Sequence, residues 1–213
     1  MDRYVRCQQL FGDDFEKIQK SKILLLGVGG VGGFCLDALW RTGVKSITVV
    51  DFDTFEVSNQ NRQLGSENVG KAKVDVMKSI YSGVEGLNLR VTPSWVESFD
   101  FEEFDLVIDA IDDMEAKVAI ANRCSNRLIS SMGGAKKRDS TLIQKASIWK
   151  THGDALAKKF RHELKKSGFK GDFDVVFSPE SPKCKELGSF VGVSGGLGFA
   201  LSSLALEKIC KNI

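Results

Sequence analysis

The sequence predicts an α/β fold, a doubly wound and mostly parallel sheet with helices on both faces. Three observations carry that expectation. Short aliphatic runs alternate with amphipathic stretches through the first two-thirds of the chain, a glycine-rich turn joins the first run to a helix, and carboxylates stand at the ends of later runs. Strands buried on both faces read as continuous apolar segments, and parallel neighbours need a crossover between them.

Residues 22–26, Lys-Ile-Leu-Leu-Leu, predict a buried strand, and 31–42 a helix. Strands follow at 46–50, 87–91, 105–108 and 128–131, with helices at 71–82 and 113–124, so the arrangement is Rossmann-like. Beyond them, 142–149 reads as a strand, 154–166 as a charged helix and 193–211 as a helix that packs back on the core. No element is assigned to 134–141 or 168–187.

The 213 residues, 42% hydrophobic and 27% charged, are enough for one domain with a sizeable core, and no Pro-, Gly- or Ser-rich linker divides them. The composition, with 21 Gly, 3 Pro and no low-complexity tract, excludes disordered, collagen-like and repeat proteins. Five cysteines, at 7, 35, 124, 184 and 210, form no C-x-x-C pair. That argues against a disulfide framework or zinc ribbon and for a cytoplasmic setting. The mixed, charged N-terminus is unlike a signal peptide. Residues 187–206 carry no formal charge but include five Gly and four Ser. Such weak hydrophobicity predicts a buried or subunit-interface helix rather than a membrane span, with Gly188, Gly192 and Gly196 spaced for close packing.

The turn Gly27-Val-Gly29-Gly30-Val-Gly32-Gly33 follows a strand and opens a helix, the context that makes a G-x-G-x-x-G pattern informative. Glycines let the backbone approach a phosphate, and the helix N-terminus offers unpaired N–H groups. Asp51, ending the second strand, suits ribose hydroxyls, which alone would suggest a dinucleotide enzyme. The polar run from Asp51 through Asp53, Ser58, Asn59, Asn61, Arg62 and Gln63, followed by Lys73, points instead to a triphosphate, which needs cations and amide donors. Taken singly, these residues also suit turns, a surface ion pair or a solvated helix face. Asp112 and Asp113 stand beyond the strand at 105–108, on the sheet edge where ligands bind. Asp112 suits Mg²⁺ held against the triphosphate; either residue also suits the N-cap of the next helix.

The set Gly-x-Gly-Gly-x-Gly, Asp-Phe-Asp, Ser-Asn-x-x-Arg-Gln, Gly-x-x-Lys and Asp-Ala-x-Asp resembles the adenylation domain of the ThiF/MoeB/HesA superfamily, to which the ubiquitin-activating enzymes belong. The resemblance implies acyl-adenylate chemistry with ATP. It implies glycine-loop contacts at Gly29 and Gly30, ribose binding by Asp51, triphosphate contacts from Asn59, Arg62 and Lys73, and Mg²⁺ at Asp112. Asp113 replaces an Asn common in the family. Arg3-Tyr4-Val-Arg6 resembles the segment whose second arginine enters the partner's site, so a homodimer with Arg6 as an intersubunit finger is implied.

Later blocks, including Ser130-Ser131-Met132-Gly133-Gly134, Arg161-x-Glu163-Leu164-Lys165 and Phe177-Ser178-x-Glu180-x-Pro182, resemble the tRNA threonylcarbamoyladenosine dehydratase branch. The implied reaction cyclises a threonylcarbamoyl group on a tRNA adenosine, without an enzyme nucleophile, and leaves room for a sulfur-transfer protein partner. The chain then divides into an ATP-binding core (1–133), a basic substrate-binding insertion (134–187) and a C-terminal helix (188–213) within a single adenylation domain. The absent C-x-x-C pairs, and a length that leaves no space for a catalytic-cysteine domain, agree with this branch. Two alternatives use the same nucleotide site: adenylation of a ubiquitin-like sulfur carrier, and a non-catalytic nucleotide-binding adaptor.

Charge locates the expected tRNA surface. The chain carries a net +2, yet residues 136–170 hold 11 Lys and Arg against 3 Asp and Glu, a local +8 that leaves −6 for the rest. Lys136, Lys137, Arg138, Lys158, Lys159, Arg161, Lys165 and Lys166 are the expected phosphate contacts. Phe160, Phe169 and Trp149 are candidates for stacking on bases, although a strand would bury Trp149. His152 and His162 are expected to face solvent or phosphate, and Cys184 to be a loop thiol.

Overall fold

The structure, a computed structural model, describes residues 2–211. Its strands are β1 (Lys22–Leu26), β2 (Ser46–Val50), β3 (Val84–Leu87), β4 (Leu106–Asp109), β5 (Leu128–Ser131), β6 (Gln144–Ser147) and β7 (Asp174–Phe177). The helices are α1 (Val5–Phe11), α2 (Asp14–Lys20), α3 (Gly32–Thr42), α4 (Lys73–Ile80), α5 (Pro93–Ser98), α6 (Met114–Cys124), α7 (Ala155–Lys166) and α8 (Val191–Cys210). All seven strands form one sheet in the order β3-β2-β1-β4-β5-β7-β6, parallel except for the antiparallel pair β6/β7. The strand order reverses between β1 and β4, so the loops after these two strands flank a crevice.

Strand alternation divides the core. On β1, Ile23 and Leu25 pack with α3, α4 and α8 through Leu36, Leu39, Val74, Leu197 and Leu201. Leu24 and Leu26 pack on the opposite layer with Ile120, Phe160 and Leu164 of α6 and α7. Both layers are closely packed, every one of these side chains being fully or nearly fully buried.

Helix ends are fixed by local chemistry. Thr92 accepts a hydrogen bond from Trp95 N (3.2 Å) and Pro93 opens α5, while the carboxylates of Asp113 and Asp154 accept from Ala116 N (3.1 Å) and Ala157 N (2.8 Å) to cap α6 and α7. Gly43 ends α3 at φ 114, a conformation that favours glycine.

Three expectations are corrected. The third strand lies at 84–87, not 87–91: β2 supplies partners only as far as Val50, paired with Leu87, and Leu89 and Val91 turn to a cavity wall instead. Within 142–149 only Gln144–Ser147 is extended, and tight 3₁₀ turns flank it. Trp149 therefore lies in a turn, half-buried, with its indole N–H donating to Gly171 O (2.9 Å) and its ring on Phe169. The small residues of α8 also act differently. Gly195 and Gly198, rather than Gly188 and Gly192, meet α3, where a Cβ on Gly198 would stand 2.5 Å from Val31 O, while Gly196 abuts Ile143 and Ser140. α8 is long and apolar enough to cross a bilayer, but its Val193, Leu197, Leu201, Leu204 and Ile209 are buried in the core.

Two predictions follow from this packing. A Cβ on Gly32 would lie 1.9 Å from Gly27 O. Gly32→Ala should therefore destabilise the protein by about 2 kcal/mol or more in urea titrations, opposite in sign to the usual gain of Ala over Gly in a helix. Glu207 of α8 bonds Lys145 of β6 and Lys211 (2.7 Å), and these contacts lower its pKa to about 2. A depressed carboxylate pKa stabilises the fold above its unfolded value, and that contribution fades as pH falls toward about 2. Glu207→Gln should flatten the fall in urea midpoint between about pH 4.5 and about 2, an effect moderated by the 35% exposure of the side chain.

Candidate functional site: a nucleotide cavity at the strand-order reversal

A cavity of about 720 Å³ opens at the carboxyl ends of β1, β2, β4 and β5. Its wall includes Gly27, Gly29, Gly30, Asp51, Asp53, Asn59, Arg62, Gln63, Lys73 and Asp112, brought together from the connections that follow three strands, β1, β2 and β4. Ten of the expected nucleotide residues thus share one space.

The glycine turn is shaped by contact. Gly27 has φ 89, its N–H donates to Val50 O (2.8 Å), and a Cβ there would meet Ala110 O at 2.9 Å. α3 starts without a side-chain cap among the described residues, and its N-cap residue Val31 lines the cavity, so an anion there would meet a helix N-terminus. Asp51, nearly buried, accepts from Val28 N (2.8 Å) through Oδ2 and from Asp53 N (2.9 Å) through Oδ1. These bonds tie the glycine turn to the end of β2 and leave a lone pair on each oxygen for a ribose.

The cations are held but not spent. Lys73, 5% exposed, bonds Asp53 Oδ2 at 2.9 Å, and its remaining N–H donors take no partner among the described residues. Arg62 donates from Nη1 to Ser58 O (2.9 Å) and Asn61 Oδ1 (2.8 Å), which leaves Nε and Nη2 for phosphate oxygens. The Gln63 side-chain oxygen is buried without a hydrogen-bond partner among the described residues, an unusual cost on a concave wall and one that a ligand donor would remove.

Asp112 is exposed on the cavity wall and takes no hydrogen bond or ion pair among the described residues. A solvated carboxylate facing the space in front of the glycine turn fits Mg²⁺, which favours one or two carboxylates with phosphate oxygens and water. No group of three or more His, Cys, Asp or Glu among the described residues could cage an ion.

Other expected residues stand elsewhere. Gly32 packs on Gly27 within the helix start. Asn61 bonds Ser189 (3.1 Å to Oγ), Ser58 is exposed, and Asp113 caps α6 and lies 3.5 Å from Arg90; none of the three lines the cavity. Arg6 is exposed on α1, a helix with no buried residue, and does not reach the cavity of its own chain. The sequence reading missed Leu89, Val91, Met132, Leu156 and Ser194, which also form the wall. Gly133-Gly134 after β5 and the small-residue start of α8 were the available signals.

The basic segment divides by burial. Lys137 is not a surface contact: its ammonium is buried on Asp154, Gly133 O (2.8 Å) and Ser178 O (2.7 Å). Phe160 is fully buried and cannot stack on a base. Arg161 is half-buried on Thr151, and Lys136 bonds Lys185 O (2.5 Å). Arg138, Lys158, Lys159, Lys165 and Lys166 are exposed, as are His152, His162 and Cys184. Burial raises the thiol of Cys35 and pushes that of Cys124 to about 12, so neither supplies a thiolate at neutral pH.

Fold and cavity together define the class, an α/β nucleotide-binding protein on a doubly wound sheet. A family model described as "ThiF family" matches residues 1–197, and the chain belongs to the ThiF family. It is similar to the tRNA threonylcarbamoyladenosine dehydratase of Bacillus subtilis (41% identity over 80% of this chain and 71% of that protein) and of Haemophilus influenzae (34% over 99% and 97%). The solved structure of Escherichia coli tRNA N6-threonylcarbamoyladenosine dehydratase, TcdA, in complex with ATP superposes with a TM-score of 0.91 at 34% identity, covering 97% of this chain and 93% of that one. HcgE from Methanothermobacter marburgensis, at 18% identity and a TM-score of 0.68, shares the fold.

Because Lys137 closes a buried ion pair, Lys137→Met should lower stability by about 3 kcal/mol by leaving Asp154 uncompensated. Lys158→Ala, at an exposed site, should stay within about 0.5 kcal/mol. Urea unfolding of both variants checks the contrast.

Proposed function

We propose that this protein is a cytoplasmic, ATP-dependent tRNA threonylcarbamoyladenosine dehydratase that works through a carboxyl-adenylate. The observation that carries the reading is the convergence of an uncapped helix N-terminus, Arg62, Lys73 and Asp112 on one cavity, in a chain similar over nearly its whole length to enzymes of that name. ATP lies with its ribose at Asp51 and its phosphates across the glycine turn. Arg62 and Lys73 bind the outer phosphates and offset the charge that gathers on pyrophosphate as it leaves. Asp112 would hold Mg²⁺, which when bound neutralises phosphate charge and orients the leaving group.

The substrate's carboxylate oxygen attacks the α-phosphorus, the bond to the bridging oxygen breaks, and pyrophosphate departs. The carbamoyl group of the same substrate then closes on the activated carbonyl and loses a proton, while AMP leaves with the former carboxyl oxygen. The net change is loss of one water with conversion of ATP to AMP and pyrophosphate. Tethering replaces an enzyme nucleophile, because the attacking group is already present at high effective molarity.

The tRNA runs along α7. Lys158 with Lys165 and Lys159 with Lys166 form two rows, each pair about 10 Å apart along the axis, a spacing suited to a phosphate backbone. Lys159 and Lys166 border a groove of about 590 Å³ whose floor includes Pro93, Met114 and Val118. No residue of α1 is fully buried against its own chain and Leu10 is left 78% exposed, which supports a homodimer in which Arg6 reaches the partner's nucleotide.

Incubation with ATP, Mg²⁺ and threonylcarbamoyl-bearing tRNA tests the reading. Loss of water from the nucleoside is expected; pyrophosphate release only with a ubiquitin-like carrier would sink it, and binding without turnover would indicate an adaptor. Lys73→Ala and Asp112→Ala should abolish turnover with tRNA affinity retained. The Lys158→Ala/Lys159→Ala/Lys165→Ala triple variant should lose about tenfold or more in tRNA affinity at moderate salt and keep ATP binding.

A further inference from the structure

Behind the cavity wall, α6 sends Lys117 into the sheet, where its side chain is fully buried. Its ammonium bonds four oxygens: Asp109 Oδ2 (2.7 Å), Ser130 Oγ (3.1 Å), Ile111 O (3.1 Å) and Ser131 O (3.1 Å). Ser130 Oγ donates to Asp109 Oδ2 at 2.6 Å, and Asp109 Oδ1 accepts from Ile111 N at 3.2 Å. The remaining surroundings are apolar, with the Phe160 ring 5.6 Å away.

The two backbone carbonyls matter most. Ile111 O belongs to the peptide that leads into Asp112, and Ser131 O to the peptide that leads into Met132 and Gly133. Asp112, and Met132 with Gly133 and Gly134, all line the cavity, from the ends of the neighbouring strands β4 and β5. One ammonium therefore ties together the ends of β4 and β5 at the point where each enters the site. A buried pair is costly to desolvate, and apolar residues of similar size often replace one without loss of stability. Its location beneath two wall-forming peptides is what stability alone leaves unexplained.

We propose that Lys117, through Asp109 and Ser130, is a positioning residue for adenylation: it fixes the Asp112 carboxylate relative to the Met132–Gly134 segment, so that the metal-bound triphosphate and the incoming carboxylate meet in line. This rests on the ATP-dependent reading above. The group touches neither nucleotide nor substrate.

The test is the double variant Lys117→Met/Asp109→Asn, which leaves no unpaired buried charge. Direct calorimetric binding of metal-free AMP and of ATP across a Mg²⁺ series gives a readout independent of turnover. We expect unchanged AMP affinity, a Mg²⁺ midpoint for ATP binding raised about tenfold, and a kcat lowered about a hundredfold with KM for tRNA unchanged. Should the pair variant not unfold cooperatively, Ser130→Ala removes one of the four acceptors and should raise the Mg²⁺ midpoint by a smaller factor, again with AMP affinity unchanged. An unaltered Mg²⁺ midpoint in a folded variant, or AMP binding weakened as much as Mg²⁺-ATP binding, overturns the proposal. Failure of the unsubstituted protein to bind ATP would overturn the functional reading itself and this inference with it.

Discussion

Where α3 begins, its backbone lies so close to Gly27 that a methyl group on Gly32 would stand 1.9 Å from the Gly27 carbonyl oxygen. This contact brings the helix start down onto the end of β1, with Val31 at the wall of the crevice. Asp51 then ties the turn to β2 through Val28 N, and Ala110 O closes against Gly27 from β4. Three strand ends are thus fixed around a turn whose shape depends on missing side chains. The glycine turn's share of the cavity follows from that approach.

The same economy governs charge. Two buried lysines, Lys117 and Lys137, bridge neighbouring strand ends and loops, each pairing with an aspartate and with backbone carbonyls. The lysines left on the surface of α7 are spread along its exposed side, while Ala157, Phe160 and Leu164 form the buried stripe beneath them. A local excess of positive charge therefore serves two purposes: part is internal fastening, and the exposed part creates an electrostatic surface.

Much of this was legible in the residues. The β1 and β2 aliphatic runs and the glycine turn each have one good physical solution, and the strands at 22–26, 46–50 and 128–131 lie where periodicity placed them. The ends of β3 were not legible, because they depend on how far β2 extends as a partner rather than on the apolar character of Leu89 and Val91. Lys137 and Lys158 look alike in a charge count; only the positions of Asp154 and Ser178, 17 and 41 residues further on, decide that one is buried. β7 gave no period to read, since it is only four residues long and bordered on both sides by segments without regular structure. Lys117 was invisible for a related reason. On α6 it reads as an ordinary solvated lysine until Ser130 and Asp109 are known to face it.

The antiparallel turn of β6 has a further consequence at the margins of the sheet. Both outer strands, β3 and β6, are only four residues long, and β6 places Lys145 on the rim. Short, charged borders make poor templates for another chain's backbone, so copies of this protein have little means of joining sheet to sheet. Association is left to helical surfaces, where α1 exposes Leu10 and α8 exposes Phe199. Margins blunted in this way disfavour the edge-to-edge growth by which sheets extend into fibres.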